Sequence, residues 1–369
     1  MGVVGMAVRS NISPVRELIR NFLPDVLDDY GVSSSRFLAS LGRGAGSPLA
    51  CGAECGYPRM ADLLRRAAEF ADCEHLGLLL GQAGHHSLVE GLGPGVARAP
   101  TVGAALMAIR SQFSSQERGA IVELTTGDMA CLSYIVVDPA VDSAAVVSDV
   151  AGAAALRVLS ELCGSRWSPE LVELPRRPPR DLRPYRRLFK CPIAFNATMV
   201  AIHFRAAWLD APLAAGGHVG CAKAPPSLQA SGAPDMVECV TQQLARSIAS
   251  GAAVSAGKVA RLFGMCGRTL QRELTKARTS YRSLSDDVRF GMARRLLQDT
   301  DMPVTEIALA LGYADASVLT RAFTRWAGTC PSEWRAGNRL LRRPTAAAPC
   351  ARILPCAGDR LRALVPSRA

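Results

Sequence analysis

The sequence lacks any long uncharged run. The two longest uncharged segments, residues 76–89 and 191–204, are each 14 residues long, whereas a membrane-spanning helix needs about 18 or more apolar residues. Residues 1–7 are apolar but too short for the core of a signal peptide, and Arg9 follows them instead of preceding them. The sequence therefore predicts a non-exported, cytoplasmic protein without a membrane partner.

Dense cysteine spacing is also missing. The 12 cysteines are scattered along the chain, so reduced thiols are the simpler interpretation than a disulfide framework. Cys51, Cys55, Cys73 and His75 could form a metal or redox site, but the usual Cys-x-x-Cys spacing is absent. Structural roles are favoured for these residues, and for the His85-His86 pair likewise.

Motifs of catalysis and phosphate binding are absent too. The sequence has no Gly-x-Ser-x-Gly, His-Glu-x-x-His or Gly-Lys-Ser/Thr motif, and its glycine-rich residues 91–95 are predicted to form a turn, because Pro94 removes an amide donor. We therefore expect no enzyme activity, no cofactor and no bound metal.

What the sequence does have is an uneven distribution of charge. Its 49% hydrophobic and 20% charged residues are typical of a folded protein, and 369 residues suggest two domains. Residues 1–249 contain equal numbers of basic and acidic residues, so the whole net charge of +11 lies in the last third. This distribution favours a polyanionic partner, most commonly nucleic acid, over a merely solubilising basic face.

The first 210 residues alternate between helical and strand-like patterns. Apolar spacing predicts helices near residues 15–22, 61–80, 101–113, 143–162 and 185–189. Short β-branched segments predict strands at 121–124, 130–137, 171–174 and 199–204, and the first two form a hairpin around Thr126-Gly127-Asp128. These patterns predict an α+β regulatory domain.

The chain then changes character twice. Residues 211–235 are rich in Pro, Gly, Ala and Ser and are predicted to be a linker, and residues 236–340 are nearly all helical in pattern. Residues 341–369 are predicted to be a disordered basic tail. The predicted division is therefore 1–210, 211–235, 236–340 and 341–369.

A weak internal repeat occupies the helical part. Each copy contains an alanine, Ala260 or Ala308, and then a glycine four residues later, Gly264 or Gly312. Glycine permits the sharp turn, and the small alanine lets the two helices approach closely. This pattern predicts two helix-turn-helix units and an all-α domain.

The segment between the copies is amphipathic. Leu284, Val288, Met292 and Leu296 recur every fourth residue within residues 281–297, which predicts a linker helix of roughly 25 Å. With the widths of the two units added, the second helices would lie about one turn of DNA apart, on the order of 34 Å, so that both could enter successive major grooves.

The C-terminal part resembles the AraC/XylS family of bacterial transcription regulators over roughly residues 240–337. The resemblance is most specific in residues 303–335, which contain Thr305-Glu306-Ile307-Ala308, Leu311-Gly312-Tyr313, Leu319-Thr320-Arg321-Ala322-Phe323, Arg325-Trp326-Ala327-Gly328 and Pro331-Ser332-Glu333-Trp334-Arg335. Cys330 is a small departure from that signature, and Ala316 is a poor base reader at the start of the second unit's recognition helix. The resemblance implies promoter DNA and RNA polymerase as partners.

The N-terminal part is similar to the arabinose-binding-like regulatory domain of the ornithine- and arginine-responsive type. The landmarks are Arg157 to Leu162, Gly164, Trp167-Ser168-Pro169, Tyr185, Phe189, Pro192, Phe195, Leu209 and Pro212-Leu213. This resemblance implies sensing of a small-molecule effector, self-association into a homodimer, or both. It does not imply arabinose as the ligand.

Polar residues of the second helices are the candidate DNA contacts. Arginine and glutamine pair with guanine and adenine edges, whereas contacts to phosphate add affinity without sequence choice. The candidates are Arg268, Gln271 and Arg272 in the first unit and Ser317, Thr320, Arg321 and Arg325 in the second. The core is predicted to contain Leu262, Leu270, Leu274, Ile307, Leu311, Leu319, Phe323 and Trp326.

The sequence thus predicts an effector-responsive, sequence-specific transcription regulator. Activation is the commoner mode in the family, and repression stays open. The alternatives are a ligand-processing enzyme fused to a DNA-binding module and a nonspecific basic protein that coats DNA. A regulator should prefer its sites by on the order of 10³-fold or more, whereas a coating protein binds all sequences equally.

Overall fold

The computed structural model describes residues 14–41, 56–85, 94–214, 235–251 and 255–341. Outside these residues lie Cys51, Cys55, His86, most of the glycine-rich turn, most of the predicted linker and all but the first residue of the predicted tail. None of the helices in these ranges is both long and apolar enough to cross a membrane.

The N-terminal part packs helices against one sheet. Its helices are α1 (Pro14–Asp29), α2 (Ser34–Ser40), α3 (Tyr57–Phe70), α4 (Leu76–Ala83), α5 (Pro94–Ala97), α6 (Val102–Gln116), α7 (Ala145–Cys163) and α8 (Arg183–Phe189). Its strands are β1 (Ala120–Thr125), β2 (Met129–Val136), β3 (Leu171–Leu174), β4 (Ile193–Phe195) and β5 (Val200–Arg205), followed by a 3₁₀ turn at Ala206–Asp210. The α+β prediction for this part is confirmed.

The sheet has the strand order β1-β2-β5-β3-β4. Strands β1 and β2 form the predicted antiparallel hairpin, with Val122 opposite Tyr134. Strand β5 is antiparallel to both β2 and β3, and β3 is parallel to β4. The short elements β4, α2 and α5 were not predicted, since each has little periodic pattern to detect; Pro94 and Gly95, expected in a turn, lie in α5.

The hairpin separates two hydrophobic cores. Val122, Leu132 and Tyr134 lie in the core of the N-terminal part. Ile121 and Ile135, together with Val137 just after β2, pack with the C-terminal helices instead. Successive side chains of a strand point to opposite faces, so the same two strands contribute to both cores.

The segment 61–80 is not one helix, contrary to the prediction. Helix α3 ends at Phe70 and α4 begins at Leu76. Between them Asp72 has a φ of 44°, in the left-handed region, and the Cys73 amide donates to the Ala68 carbonyl at 3.0 Å, which closes the helix end. The apolar spacing continues across this break, so periodicity alone did not reveal it.

The C-terminal part is helical, as predicted. Its elements are α9 (Met236–Ala249), α10 (Ala256–Leu262), α11 (Gly267–Lys276), α12 (Tyr281–Asp299), α13 (Val304–Ala310), α14 (Ala316–Ala327) and α15 (Pro331–Leu341). Helix α12 is the predicted linker helix. The four residues that defined its amphipathic pattern, Leu284, Val288, Met292 and Leu296, are all buried.

Candidate DNA-binding interface

The first helix-turn-helix unit consists of α10 and α11 around a glycine turn. Gly264 has a φ of +66°, in the left-handed region that favours glycine. The Met265 amide donates to the Ala260 carbonyl at 3.0 Å and so closes the end of α10. Ala260 is fully buried, so a small residue suits this position.

The second unit, α13 and α14, repeats this geometry. Gly312 has a φ of +78°, the Tyr313 amide donates to the Ala308 carbonyl at 2.9 Å, and Ala308 is fully buried. The local repeat in the sequence therefore corresponds to a repeat in structure.

The candidate contact residues of the first unit share one exposed surface. Leu270 and Leu274 face the core, whereas Arg268, Gln271 and Arg272 are exposed on α11. The Arg272 guanidinium lies 3.5 Å from the Glu273 carboxylate, and 68% of the Arg272 side chain is exposed. Because an exposed ion pair of this kind is weak, a contact with DNA could replace it.

The second recognition helix, α14, begins with a firm cap. Asp315 accepts hydrogen bonds from the amides of Ser317 (2.7 Å) and Val318 (3.0 Å). These bonds lower the pKa of Asp315, the bond from Val318 most of all. The cap fixes the first turn of α14, where Ser317 is exposed.

Three further candidates follow on α14. Arg321 is exposed, whereas Thr320 is half-buried and donates its hydroxyl to the Ala316 carbonyl at 2.7 Å. Arg325 is exposed but lies 3.1 Å from the Asp286 carboxylate of α12. Of the four second-unit candidates, Ser317 and Arg321 thus have the fewest contacts within the protein; DNA contact by any of them stays a prediction.

An aromatic cluster holds the second unit on α12. Phe290 of α12 packs on Phe323 and Trp326, with ring centroids 5.4 and 5.5 Å apart, and Phe323 packs on Trp334 at 5.9 Å. Such pairs add to the stabilisation from burial alone. The cluster therefore fixes α14 relative to the linker helix.

The linker helix also docks on the N-terminal part through buried charges. Arg295, 6% exposed, donates to the carbonyls of Asp138 and Val136, each at 2.8 Å. Burial lowers the pKa of Arg295 to about 10, which leaves it charged at neutral pH. The guanidinium thus satisfies two carbonyl groups at and just beyond the end of β2.

One turn later, Asp299 caps a helix of the other part. Its carboxylate accepts from the Ser143 hydroxyl and from the Ala144 amide, each at 2.7 Å. Ala144 is the N-cap residue of α7 and has no side chain that could cap it. Because a helix N-terminus has unpaired amides and a positive partial charge, a carboxylate there stabilises α7.

Arg177 provides the reciprocal contact. Its guanidinium donates to the carbonyls of Gln298 (2.7 Å) and Thr300 (2.9 Å) at the C-terminal end of α12. The preceding residue, Arg176, pairs instead with the buried Asp149 of α7. Two consecutive arginines therefore connect the loop after β3 to α7 and to α12.

Sequence reasoning missed Arg177, Arg295 and Asp299. On a sequence, charged residues in a helix or loop are most simply interpreted as solvated, and no periodic pattern reveals that they will contact another domain. The one available signal was the lack of a capping side chain at the start of α7.

One predicted core residue is wrong. Leu262 is 64% exposed, because α10 is short and its packed face is formed by Val259 and Ala260, with Phe263 following just beyond the helix. The other predicted core residues are buried, except for Trp326, which is half-buried.

The described histidines and cysteines that raised a metal alternative have ordinary hydrogen-bond partners. His85 bonds to Glu161 at 2.6 Å, and Cys73 lies 3.7 Å from His75. Among the described residues, no group of three or more His, Cys, Asp or Glu residues could hold a metal ion.

Two family models match the chain. The model described as the arabinose-binding domain of AraC transcription regulators (N-terminal) matches residues 31–213, and the model described as a helix-turn-helix domain matches residues 259–337. The first covers most of the α+β part, and the second covers most of the two repeated units.

Relatives of known name share the C-terminal region. The ornithine utilization regulator of Pseudomonas aeruginosa is 42% identical over 78 residues, which are 21% of this chain and 23% of that protein. The HTH-type transcriptional regulator VirS of Mycobacterium tuberculosis is 34% identical over 93 residues, 25% of this chain and 27% of that protein. The chain thus matches about a quarter of the length of these curated relatives.

A solved structure aligns over more of the chain. The transcriptional regulator CdpR from Pseudomonas aeruginosa aligns with 86% of this chain and 98% of its own, at 22% identity and a TM-score of 0.36. Both family models and the named relatives agree on one assignment. The chain belongs to the AraC family of transcription regulators: its N-terminal part matches the arabinose-binding domain of that family, and its C-terminal part matches a helix-turn-helix domain.

Proposed function

We propose that this protein binds double-stranded promoter DNA sequence-specifically and regulates transcription in the cytoplasm in response to a small-molecule effector. In this proposal residues 1–210 sense the effector or dimerise, and residues 236–340 bind DNA. Residues 211–235 form the linker between these two domains, and residues 341–369 form a basic tail. Activation through RNA polymerase is the proposed mode, and no enzyme activity is part of the function.

The observation that carries the proposal is the duplicated helix-turn-helix geometry with an exposed polar surface on each second helix. Both units have a left-handed glycine and a fully buried alanine at equivalent positions. In both units arginine is exposed on the second helix, as Arg272 and Arg321. Arginine is the commonest specific reader of guanine in the major groove.

The linker helix supports binding by both units at once. Helix α12 has 19 residues, so it is about 28 Å long. Recognition helices that enter successive major grooves are separated by about 34 Å. A rigid helix of this length, with a unit attached at each end, suits a single chain that reads two adjacent grooves.

The buried contacts of α12 explain how the two parts could communicate. Arg295 and Asp299 connect α12 directly to β2 and α7 of the regulatory domain. The position of the linker helix therefore depends on the regulatory domain. An effector that moved β2 or α7 would change how the two units meet DNA.

The test is selection of DNA by the purified full-length protein. Fragments of the source genome are mixed with the protein at physiological salt, and the retained fragments are sequenced. Enrichment of a few promoters is the expected result. Equal retention of all fragments, with and without an extract of small metabolites, would support the coating protein instead.

Two variants then test the proposed reading surfaces. Arg272→Ala and Arg321→Ala should each cost about 1–3 kcal/mol of binding to an enriched promoter and relax the base preference. Arg36→Ala is the matched control, because Arg36 is exposed on α2 of the regulatory domain and its loss changes the net charge equally. If both recognition-helix variants bind like the control, the assignment of these helices is wrong.

A further inference from the structure

The regulatory domain contains a cavity of about 90 Å³ between α7 and the sheet. Its wall is formed by apolar side chains of α1, α6, α7, β1, β2 and β5, among them Leu18, Phe113, Val122, Leu132 and Val158. A well-packed interior has few voids larger than a water molecule. A space of this size at the centre of a domain is therefore a feature to explain.

Small residues on α7 create the space. Ala151, Ala154 and Ala155 all line the cavity, where larger side chains would fill it. The opposite side of α7 packs tightly on α4, because a Cβ on either Gly77 or Gly81 would clash with the α7 backbone. Helix α7 is thus held by α4, and its alanines face open volume.

The wall offers no spare polar group. Of the residues that line the cavity, two carry polar side chains, Ser133 and Tyr134. The Tyr134 hydroxyl bonds to the buried Tyr57 hydroxyl, and the Ser133 hydroxyl donates to the Glu123 carbonyl at 3.4 Å. A sugar or an amino acid placed here would lose its hydration without gaining partners.

We infer that this cavity is the effector site and that it binds a hydrocarbon group: a short aliphatic chain or small ring, either alone or as the apolar end of an amphiphile. An apolar cavity of about 150 Å³ stays dry and binds benzene. On that scale, 90 Å³ takes a group on the order of three to four carbon atoms. The ligand class therefore differs from the polar molecules in the names of the family model and of the ornithine regulator.

Two of the elements that form the cavity wall, α7 and β2, also anchor the linker helix. Helix α7 lines the cavity through its alanines and is capped at its N-terminus by Asp299 of α12. Strand β2 lines it through Leu132 and Tyr134, and its last carbonyl, that of Val136, accepts a hydrogen bond from Arg295 of α12. A molecule that pushes α7 away from β2 therefore acts on both anchors at once.

This regulatory step rests on the proposed function, but occupancy of the cavity can be measured without DNA. The probes are the straight-chain carboxylates from butanoate to octanoate, with L-arabinose and L-ornithine as polar comparisons. Titration calorimetry on the full-length protein should show one site per chain, affinity that rises with chain length up to the capacity of the cavity, and a negative heat-capacity change. The polar comparisons should give no heat of binding.

Ala154→Leu is the decisive variant, because a leucine at this position occupies the cavity itself. It should raise the melting temperature of the free protein and abolish probe binding, since filling a cavity commonly stabilises. Ala39→Leu, which adds the same side chain at an exposed position of α2, should bind probes like the original protein. No probe binding to the original protein, or equal binding to the Ala154→Leu variant, would overturn the inferred site.

The DNA arm separates this inference from the proposed function. A bound probe should change the affinity for an enriched promoter several-fold in the original protein and leave the Ala154→Leu variant unchanged. If the probe binds at the cavity and promoter affinity stays constant, the effector role is overturned. If the protein shows no preference for any DNA sequence, with or without the probe, the proposed function itself is contradicted.

Discussion

Replacing Asp299 by alanine should uncouple the two parts of the molecule. The carboxylate accepts two hydrogen bonds of 2.7 Å from Ser143 and Ala144 and is 4% exposed. Hydrogen bonds to a charged group contribute about 1.5–3 kcal/mol each, and loss of an N-cap costs about 0.5–2 kcal/mol. These contributions overlap, so we expect a loss of about 2–4 kcal/mol in the free energy of unfolding.

The neighbouring Arg295 adds to the effect. Its guanidinium is buried and is stabilised electrostatically by Asp299. Removal of one partner of a buried charge pair is strongly destabilising, because the other charge stays uncompensated. The loss should therefore lie in the upper half of the range above.

Scanning calorimetry of the full-length protein is the assay. A loss of about 3 kcal/mol should lower the melting temperature of a domain of this size by about 6–12 °C, and a single transition should separate into two as the parts lose their shared contacts. Asp301→Ala is the matched control, because this carboxylate is 47% exposed and pairs with Arg177 at 2.8 Å; it should cost less than about 1 kcal/mol. Equal melting temperatures for the two variants would refute the capping argument.

Two further predictions concern the first helix-turn-helix unit. Gly264→Ala should lower the free energy of unfolding by about 1–2 kcal/mol, because φ is +66° at this position. Gly267→Ala, in the first turn of α11, is the control and should be neutral or stabilising. Equal midpoints of chemical denaturation for the two variants would contradict the need for a left-handed residue at position 264. The hydrogen bond from Thr269 lowers the pKa of Cys266, and burial raises that of Cys131 to about 11. At pH 7.5 iodoacetamide should therefore modify Cys266 on the order of a hundredfold faster than Cys131, as measured by peptide mass spectrometry. Promoter DNA should protect Cys266 from this modification. Equal rates for the two thiols would contradict the pKa difference.

The helix-turn-helix units could be predicted because their determinants are local. The turn glycines, the small alanines and the apolar spacing act within a few residues, so a linear pattern contains them. The exposure of Leu262 shows the limit of this approach. A helix of seven residues has too few turns for periodicity to distinguish its packed face from its exposed face.

The docking of the two parts could not be predicted, since it depends on residues that are far apart in the sequence. Asp299 and Ala144 are 155 positions apart, and each has an ordinary solvated interpretation when taken alone. The alternation within β1 and β2 was visible, but both faces are apolar at the centre of the hairpin. The pattern therefore indicated burial on two sides without identifying what covers the second side.

Gly291 offers a direct measure of that docking. It lies in the middle of α12, where glycine normally destabilises a helix by about 1 kcal/mol relative to alanine. Here a Cβ would lie 2.8 Å from the Cα of Pro139, which follows β2, and 3.3 Å from Nη1 of Arg295. The backbone of the regulatory domain thus occupies the space that an alanine would need.

Gly291→Ala should therefore lower the free energy of unfolding by about 1–3 kcal/mol despite the gain in helix propensity. Gly337→Ala in α15 is the control, because a Cβ there meets no atom within 4 Å; it should stabilise the protein by up to about 1 kcal/mol. Hydrogen exchange should accelerate at residues 136–144 in the Gly291 variant only. Both substitutions add one methyl group to a helix interior, so the difference between them isolates the contact with Pro139. If Gly291→Ala stabilises as much as the control does, α12 is not seated on the regulatory domain in solution.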